Sequence, residues 1–266
     1  MGCNMGALNQ QLVLREDRGA VRVLTMNRPE SRNALNTDLI SALHTALVHA
    51  DRDASVCAVV LTGADPAFCA GLDLKQAQRD GAAYFERLHA ENCITKVAQL
   101  GKPVLGAVNG AAITGGMEMA LGCDFLVASN QAVFADTHAR VGILPGAGMT
   151  ARLPRLVGAG MARRLSMTGE VIDAARAEAM GLVTEVVAHA QLLDRTVEVA
   201  TQICEVDAPV MQGLKAIYVA GAAAVIEPAL AAERAIAATA ARHTDGLGER
   251  YRQVAERNRR QIRRPT

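Results

Sequence analysis

The amino-acid sequence predicts an α/β fold followed by a helical C-terminal region, and three observations support this prediction. Short apolar runs typical of buried strands alternate with segments of helical periodicity over the first two thirds of the 266-residue chain. Glycine-bearing loops follow several of these runs, as is common where the chain leaves a strand. From about Ala190 the pattern becomes almost wholly helical and includes the alanine-rich residues 229–241.

The individual elements are predicted in chain order from local patterns. Apolar runs predict five strands, at residues 21–26, 57–61, 104–108, 124–128 and 131–135. Asn36 is a suitable N-cap, and apolar residues at helical spacing follow it through Val48, so a helix is predicted there. Residues 117–121 predict a second, short helix after a glycine pair. The segment from Gly146 to Ala151 fits a bare dinucleotide-binding pattern, but a proline precedes it instead of a strand, so a helix-opening turn is predicted.

Composition and charge exclude several classes of protein. The chain has 28 Lys and Arg against 27 Asp and Glu, a formal net charge of +1, so its overall charge indicates neither a nucleic-acid nor a membrane partner. The six cysteines lack zinc-binding spacing in a chain too large to need disulfides, so reduced, packed thiols and no metal site are predicted. No secretory leader and no apolar run of membrane-spanning length are recognised, and a cytoplasmic protein is expected.

The C-terminal residues 250–264 hold seven arginines and a single acid, Glu256. A basic helix of this kind can bind nucleic acid, but no interleaved aromatic surface accompanies it. A solvated helix face is the favoured interpretation.

Two glycine-bearing segments carry the chemistry that the sequence predicts. Residues 67–75 read AFCAGLDLK, and residues 109–124 read NGAAITGGMEMALGCD. Glycine lets backbone N–H groups approach a ligand closely, and a glycine pair that opens a helix adds the positive end of that helix. Two strand-end loops can each supply one donor to a carbonyl oxygen that becomes negatively charged. Either loop alone would more often be a simple tight turn, but together they predict an oxyanion-binding site.

These segments resemble the paired signatures of the crotonase superfamily, the enoyl-CoA hydratase/isomerase family. The resemblance runs from about Leu12 to Val187, with further matching motifs at residues 27–29, 33–36, 144–148 and 174–183. It implies a crotonase-like spiral of ββα units over residues 1–195, followed by a helical trimerisation region over residues 196–266. It also implies an acyl-CoA substrate and a homotrimer or a dimer of trimers.

The resemblance implies a role for each matching residue. The backbone N–H groups of Leu72 and Gly115 would bind the thioester oxygen, and Glu118, one helical turn from Gly115, would be a catalytic acid and base. Residues similar to those that hold the CoA adenine and phosphates are Arg32, Ala34, Leu35, Ala70 and Lys75. For the two cations of that set, an ordinary solvated charge is the alternative. Asp73 would be structural and would tie down its loop.

One position departs from the hydratases of the family. His138 stands where they have a second glutamate, four residues before Gly142. A histidine can exchange protons near neutral pH, so His138 could act with Glu118, or it could simply line the pocket. Asp136 would point to the opposite face if the preceding strand continues, which makes it the weaker candidate. Cys69 can be imagined as a nucleophile, but a small packed residue is favoured.

The resemblance therefore implies an enoyl-CoA hydratase that adds water across the 2,3 double bond of a 2-enoyl-CoA. No cofactor is expected, because coenzyme A is carried as part of the substrate and its thioester is the electron sink. The histidine at position 138 keeps isomerisation, thioester hydrolysis and decarboxylation open on the same fold. A non-catalytic acyl-CoA-binding protein is an alternative from another class, and Glu118 argues against it.

Overall fold

A computed structural model describes residues 11–239 and 246–262, and nine strands lie within those residues. In chain order they are β1 (Val13–Arg18), β2 (Val21–Met26), β3 (Ala58–Gly63), β4 (Val104–Val108), β5 (Ala111–Ile113), β6 (Phe125–Ser129), β7 (Val133–Ala135), β8 (Ile172–Asp173) and β9 (Glu185–Val187). Six of them form one sheet in the order β1-β2-β3-β4-β6-β9, in which neighbouring strands are parallel except for β1 and β2. The other three form a small sheet in the order β5-β7-β8.

Twelve α-helices occur in the same part of the chain: α1 (Thr37–Arg52), α2 (Leu74–Asp80), α3 (Ala82–Ala90), α4 (Cys93–Val97), α5 (Gly115–Leu121), α6 (His138–Val141), α7 (Met149–Val157), α8 (Ala159–Thr168), α9 (Ala174–Ala179), α10 (Leu192–Cys204), α11 (Ala208–Thr239) and α12 (Leu247–Ile262). Short 3-10 helices cover Pro29–Ser31 and His189–Gln191. Strands and helices alternate up to β9 and only helices follow, so the predicted α/β fold with a helical C-terminal region is confirmed. The predicted cap is also present, since the Asn36 side chain accepts the N–H of Leu39 at 2.9 Å.

The strands that sequence analysis missed are either charged and exposed or only two to three residues long. The five predicted strands are all present, with small shifts at their ends. β1 was not predicted because most of its residues are exposed and charged, as suits a strand at the edge of a sheet. β5, β8 and β9 have only two or three residues each, too few to show a periodic pattern.

Both faces of the large sheet are buried. Side chains alternate along β3, so that Val59 and Leu61 belong to the main core under α1 and Val60 belongs to a second cluster under α10. This arrangement explains why the central strands read as continuous apolar runs. The domain boundary predicted at residue 195 falls inside α10, which packs directly on the sheet. The part of the chain that covers the sheet therefore extends to Cys204.

The helix α11 is attached to the α/β body through buried polar contacts. Lys215 is buried, donates to the carbonyl of Lys102 and pairs with Asp124, each at 2.8 Å. Much of the apolar surface of the same helix is nevertheless exposed, as at Ile217 and Tyr218. One face of α11 thus packs against the body and another is free in the single subunit.

By length and composition, α11 is also the one helix among the described residues that could cross a membrane. The sequence-based expectation that no apolar stretch reaches spanning length is therefore wrong. Lys215 interrupts the apolar run, but the mean hydropathy over 18 residues of the helix still reaches 1.5. A single helix of this kind is weak evidence for a membrane span, because helices of other proteins pass the same test.

Candidate active site

The two glycine-bearing loops meet beside the carboxyl ends of β3 and β4. These strands are parallel neighbours, so the chain leaves both at the same edge of the sheet. Two backbone hydrogen bonds of 3.0 Å then join the loops, from the Cys69 N–H to the Ala111 carbonyl and from the Ile113 N–H to the Cys69 carbonyl. The structure therefore brings together the two segments that the sequence analysis singled out.

Close backbone packing requires glycine at two positions of this junction. At Gly116 a Cβ atom would lie 2.0 Å from the carbonyl oxygen of Cys69. At Gly71 the backbone has a φ of +93°, a conformation that other residues rarely adopt. The loops approach each other this closely because neither glycine carries a side chain.

Gly116→Ala is expected to destabilise the protein by about 1–3 kcal/mol, the usual cost of overpacking a tight site. The methyl group would meet backbone atoms of Cys69, which cannot move aside like the end of a side chain. Gly160→Ala in α8 is the matched control, because a Cβ there meets nothing within 4 Å. The free energy of unfolding, measured by denaturant titration, should fall only for the first variant. Equal stability of the two variants would contradict the close approach.

Two backbone N–H groups are unpaired at the junction. Neither Leu72 nor Gly115 donates its N–H to an acceptor among the described residues. The groups lie side by side, since a Cβ on Gly115 would be 3.8 Å from the nitrogen of Leu72. Gly115 is also the first residue of α5, where the helix leaves its amides free and carries partial positive charge. The pair is suited to stabilise a carbonyl oxygen that gains negative charge, and its contact with a thioester stays a prediction.

Glu118 lies one turn further along α5 and is 3% exposed. Its Oε1 accepts the N–H groups of Ala147 at 2.9 Å and of Met149 at 3.3 Å, at the start of α7. Its Oε2 is 3.5 Å from Nε2 of His138. One oxygen thus anchors the carboxylate while the other faces the histidine, an arrangement that suits a general base.

The structure overturns the expected orientation of Asp136. The strand β7 ends at Ala135 and the chain turns into α6, which begins at His138. Even a continued strand would have placed residues 136 and 138 on the same face, because side chains two apart in a strand point the same way. Oδ1 of Asp136 accepts the backbone N–H of His138 at 3.2 Å and lies 2.7 Å from Nδ1 of its ring. The expectation that Asp136 would point away is therefore wrong. Asp136, His138 and Glu118 form a buried row of carboxylate, imidazole and carboxylate.

The two carboxylates determine the charge of His138. Desolvation favours the neutral ring, but the charge of Glu118 and the hydrogen bonds to Asp136 and Glu118 outweigh it and raise the pKa of His138 to about 10. Burial alone would raise the pKa of Asp136, yet the hydrogen bond and charge of His138 lower it. The ring is consequently an imidazolium at neutral pH. It does not titrate in the neutral range that its residue type suggested.

A groove beside the junction is closed on one side by the C-terminal helix. Arg32, Ala70 and Leu72 line the groove, and α12 lines it through residues that include Tyr251 and Asn258. The predicted solvated face of α12 is present, since Arg252 and Arg260 are exposed, and another face of the same helix lines the groove. Sequence analysis missed the contact because the arginines dominate the composition of the helix and obscure the few residues that face the groove.

The five residues expected to hold CoA occupy different positions relative to this groove. Arg32 and Ala70 line it, and Arg32 is exposed. Leu35 is fully buried, and its N–H donates to the carbonyl of Gly71 at 2.8 Å. It can therefore support the groove only by holding the backbone at Gly71. Ala34 is half-buried, and Lys75 is exposed on α2 outside the groove lining. Contact with CoA stays a prediction for all five, with the strongest geometric support for the first two.

Asp73 and Cys69 both have structural roles. Asp73 caps α2 by accepting the N–H of Gln76 at 3.2 Å and pairs with Arg28 at 3.2 Å, which is the loop-fastening role predicted for it. The Cys69 thiol is fully buried beside the carbonyl of Asn33. Burial raises the pKa of Cys69 to about 12, so the thiolate that a nucleophile requires does not form near neutral pH.

Known proteins are similar to this chain in sequence and fold over most of its length. The sequence model of the family described as enoyl-CoA hydratase/isomerase matches residues 16–258. A probable enoyl-CoA hydratase from Rhizobium meliloti is 39% identical over 204 residues, which cover 76% of this chain and 79% of that protein. An enoyl-CoA hydratase structure from Mycobacterium smegmatis is 46% identical with a TM-score of 0.76, and the match covers 85% of this chain and 96% of that one. One from Mycobacterium tuberculosis H37Rv is 45% identical with a TM-score of 0.77, covering 85% and 97%. The chain, with its crotonase-like α/β fold, belongs to the enoyl-CoA hydratase/isomerase family.

Proposed function

We propose that this protein is an enoyl-CoA hydratase, which adds water across the 2,3 double bond of a 2-enoyl-CoA thioester. The observation that carries the proposal is the anchored carboxylate of Glu118, one helical turn from the unpaired amide of Gly115, which lies beside the unpaired amide of Leu72. The amides suit a carbonyl oxygen that gains charge, and the carboxylate suits proton transfer from water. The names of the family relatives support the same reaction.

The substrate thioester oxygen would lie between the amides of Leu72 and Gly115. As water adds at C3, the electron pair of the double bond moves toward the carbonyl group, which becomes an enolate. The two N–H groups stabilise this charge effectively because the bonds to Cys69 already hold them in place. The thioester is the electron sink, so the proposal needs no cofactor besides the CoA that the substrate carries.

Glu118 and His138 would divide the proton transfers. Oε2 of Glu118 removes a proton from water as the water oxygen bonds to C3. His138, charged at neutral pH, donates its Nε2 proton to C2 and completes the addition. Transfer of the proton from Glu118 to His138, across the 3.5 Å between Oε2 and Nε2, restores the starting state. Asp136 holds the ring through Nδ1 and keeps it charged.

The other enolate reactions differ in what they do to the substrate. Thioester hydrolysis by a cysteine nucleophile conflicts with the buried thiol of Cys69, whose raised pKa disfavours the thiolate. Isomerisation and decarboxylation use the same oxyanion amides but add no water. A protein that only binds acyl-CoA has no need for the anchored carboxylate of Glu118.

The test of the proposed function is incubation of the protein with short 2-enoyl-CoA, 3-enoyl-CoA and malonyl-type thioesters in water labelled with heavy oxygen. Mass analysis distinguishes the reactions, because hydration places the label on a 3-hydroxyacyl-CoA and hydrolysis places it on a free acid. Isomerisation leaves the mass unchanged, and decarboxylation lowers it. We expect labelled 3-hydroxyacyl-CoA; its absence with every 2-enoyl-CoA would overturn the proposal.

We further propose that three copies of the chain associate through α11, as a homotrimer or a dimer of trimers in the cytoplasm. Exposed apolar side chains along this helix, such as Val210, Ile217 and Ile236, form a surface that a second copy can cover. Light scattering should give the mass of three or six subunits, and Ile217→Glu should lower it. A monomer at micromolar concentration, or protein that sediments with membranes, would contradict this assembly.

A further inference from the structure

Two buried carboxylates share the amide groups at the start of α7. The N–H groups of residues 147–150 alternate between Glu118 and Glu233. Their distances are 2.9 Å from Ala147 to Oε1 of Glu118, 2.7 Å from Gly148 to Oε1 of Glu233, 3.3 Å from Met149 to Oε1 of Glu118 and 2.8 Å from Thr150 to Oε2 of Glu233. The hydroxyl of Thr150 also donates to Glu233. Amides at a helix start have no partner within the helix, so each carboxylate supplies acceptors that this end requires.

Glu233 differs from Glu118 in having no oxygen left for a substrate. Both of its oxygens accept from the start of α7, and the residue is 7% exposed. A buried carboxylate is costly unless it is hydrogen-bonded, and these bonds satisfy it. Arg152, whose Nη1 donates to the carbonyl of Ala147 at 2.8 Å, is a cation that attracts both carboxylates. Glu233 therefore acts on the segment 147–150 and not on a bound ligand.

The alternation of partners determines how Glu118 is held. Ala147 and Met149 can both donate to Oε1 of Glu118 only while the backbone of residues 147–150 keeps its present conformation. Glu233 holds that conformation by accepting the N–H groups of Gly148 and Thr150. If this restraint is lost, Glu118 loses the anchor that leaves Oε2 directed at His138. A displacement of about 1 Å at a reacting group can lower a rate by roughly a hundredfold.

We propose that Glu233 is a positioning residue for the reaction, which acts on Glu118 through the amides of residues 147–150. The inference rests on the proposed function, because its kinetic consequence appears in proton transfer by Glu118. Glu233 lies in α11, the helix that the sequence associates only with oligomerisation. The C-terminal region of the same chain therefore completes the support of the catalytic carboxylate.

The experiment compares Glu233→Ala and Glu233→Gln with Glu86→Gln, a control at an exposed glutamate of α3 that lies outside this arrangement. For a short 2-enoyl-CoA, we expect Glu233→Ala to lower kcat by roughly 10- to 100-fold while KM changes less than about twofold. Glu233→Gln should lie between wild type and Glu233→Ala, because its amide keeps one acceptor oxygen but places an NH2 group against another N–H. The control should keep the kcat of the wild type.

A crystal structure of Glu233→Gln provides the second readout, the distances from Oε1 of Glu118 to the nitrogens of Ala147 and Met149. We expect at least one of these bonds to be lost. A fall in melting temperature with unchanged kcat, or a parallel change of kcat and KM, would overturn the inference. If Glu233→Ala does not fold, the isosteric Glu233→Gln decides. If the wild type hydrates no substrate, the proposed function fails, and an unmoved Glu118 in the variant crystal would separately overturn the positioning role.

Discussion

Glu118→Gln is expected to lower kcat for hydration by roughly 10²- to 10⁴-fold, the range that removal of a general acid or base usually costs. The amide keeps the size of the side chain and an oxygen that can still accept the N–H of Ala147. It cannot remove a proton from water. Binding of CoA and of a product analogue should stay within about twofold of the wild type, because only a transition-state interaction is lost.

The matched control for this prediction is Glu86→Gln, at an exposed glutamate of α3. It makes the same chemical change away from the groove and should leave kcat and KM as they are. Steady-state kinetics with a short 2-enoyl-CoA and calorimetric titration with CoA give the two quantities. Near-normal turnover of Glu118→Gln would remove Glu118 from the mechanism, whatever its place beside the oxyanion amides.

His138→Ala should lower kcat about as much as Glu118→Gln does. Asp136→Asn should change the dependence of kcat on pH. The pKa of His138 is raised to about 10, so the charged ring that donates to C2 is present across the neutral range and is lost on the alkaline side. Asp136→Asn removes one of the two negative neighbours, and the ring then loses its proton at lower pH. The alkaline fall of kcat should therefore begin at lower pH than in the wild type.

The same charge contributes to stability with a defined sign. Because the folded pKa of about 10 exceeds the ordinary value of 6.5, this contribution is fully present below the ordinary value. It declines as the pH rises from there toward 10, so Asp136→Asn should weaken the alkaline loss of stability. Denaturant titrations at several pH values measure the effect. An Asp136→Asn variant with the wild-type kcat profile would show that His138 does not act as the acid.

His138→Glu alone is expected to be a poor hydratase, although it recreates the pair of glutamates found in related hydratases. It would place a third buried carboxylate beside Asp136 and Glu118 without the cation that now lies between them. The double variant Asp136→Asn/His138→Glu removes one of those charges and should be more stable and more active than His138→Glu. Equal activity of the single and double variants would contradict the role of Asp136 as the partner of His138.

Local patterns in the sequence were sufficient for most of the fold and for the centre of the site. The buried strands appear as continuous apolar runs because both faces of the sheet are covered. The loops around Gly71 and Gly116 are recognisable because close backbone contact at these positions excludes any side chain. The position of Glu118 can be predicted from the sequence of the second loop, because the spacing along α5 alone places this residue one turn from Gly115. These features depend on residues that are near one another in the chain.

The expectation that Asp136 faces away from His138 misapplied strand alternation, because residues two apart share a face of a strand. The hydrogen bond between the two side chains forms where the chain turns from β7 into α6. The pKa of His138 depends on two carboxylates that meet it only in the folded chain. Glu233, which is bound to Gly148, lies in an Ala-rich helix whose composition shows nothing of that contact. The sequence by itself thus determined the family, the α/β fold and the oxyanion loops with Glu118. Only the tertiary structure decided the charge of the histidine and the anchoring of that glutamate, because electrostatics and positioning depend on distances between segments that are far apart in the chain.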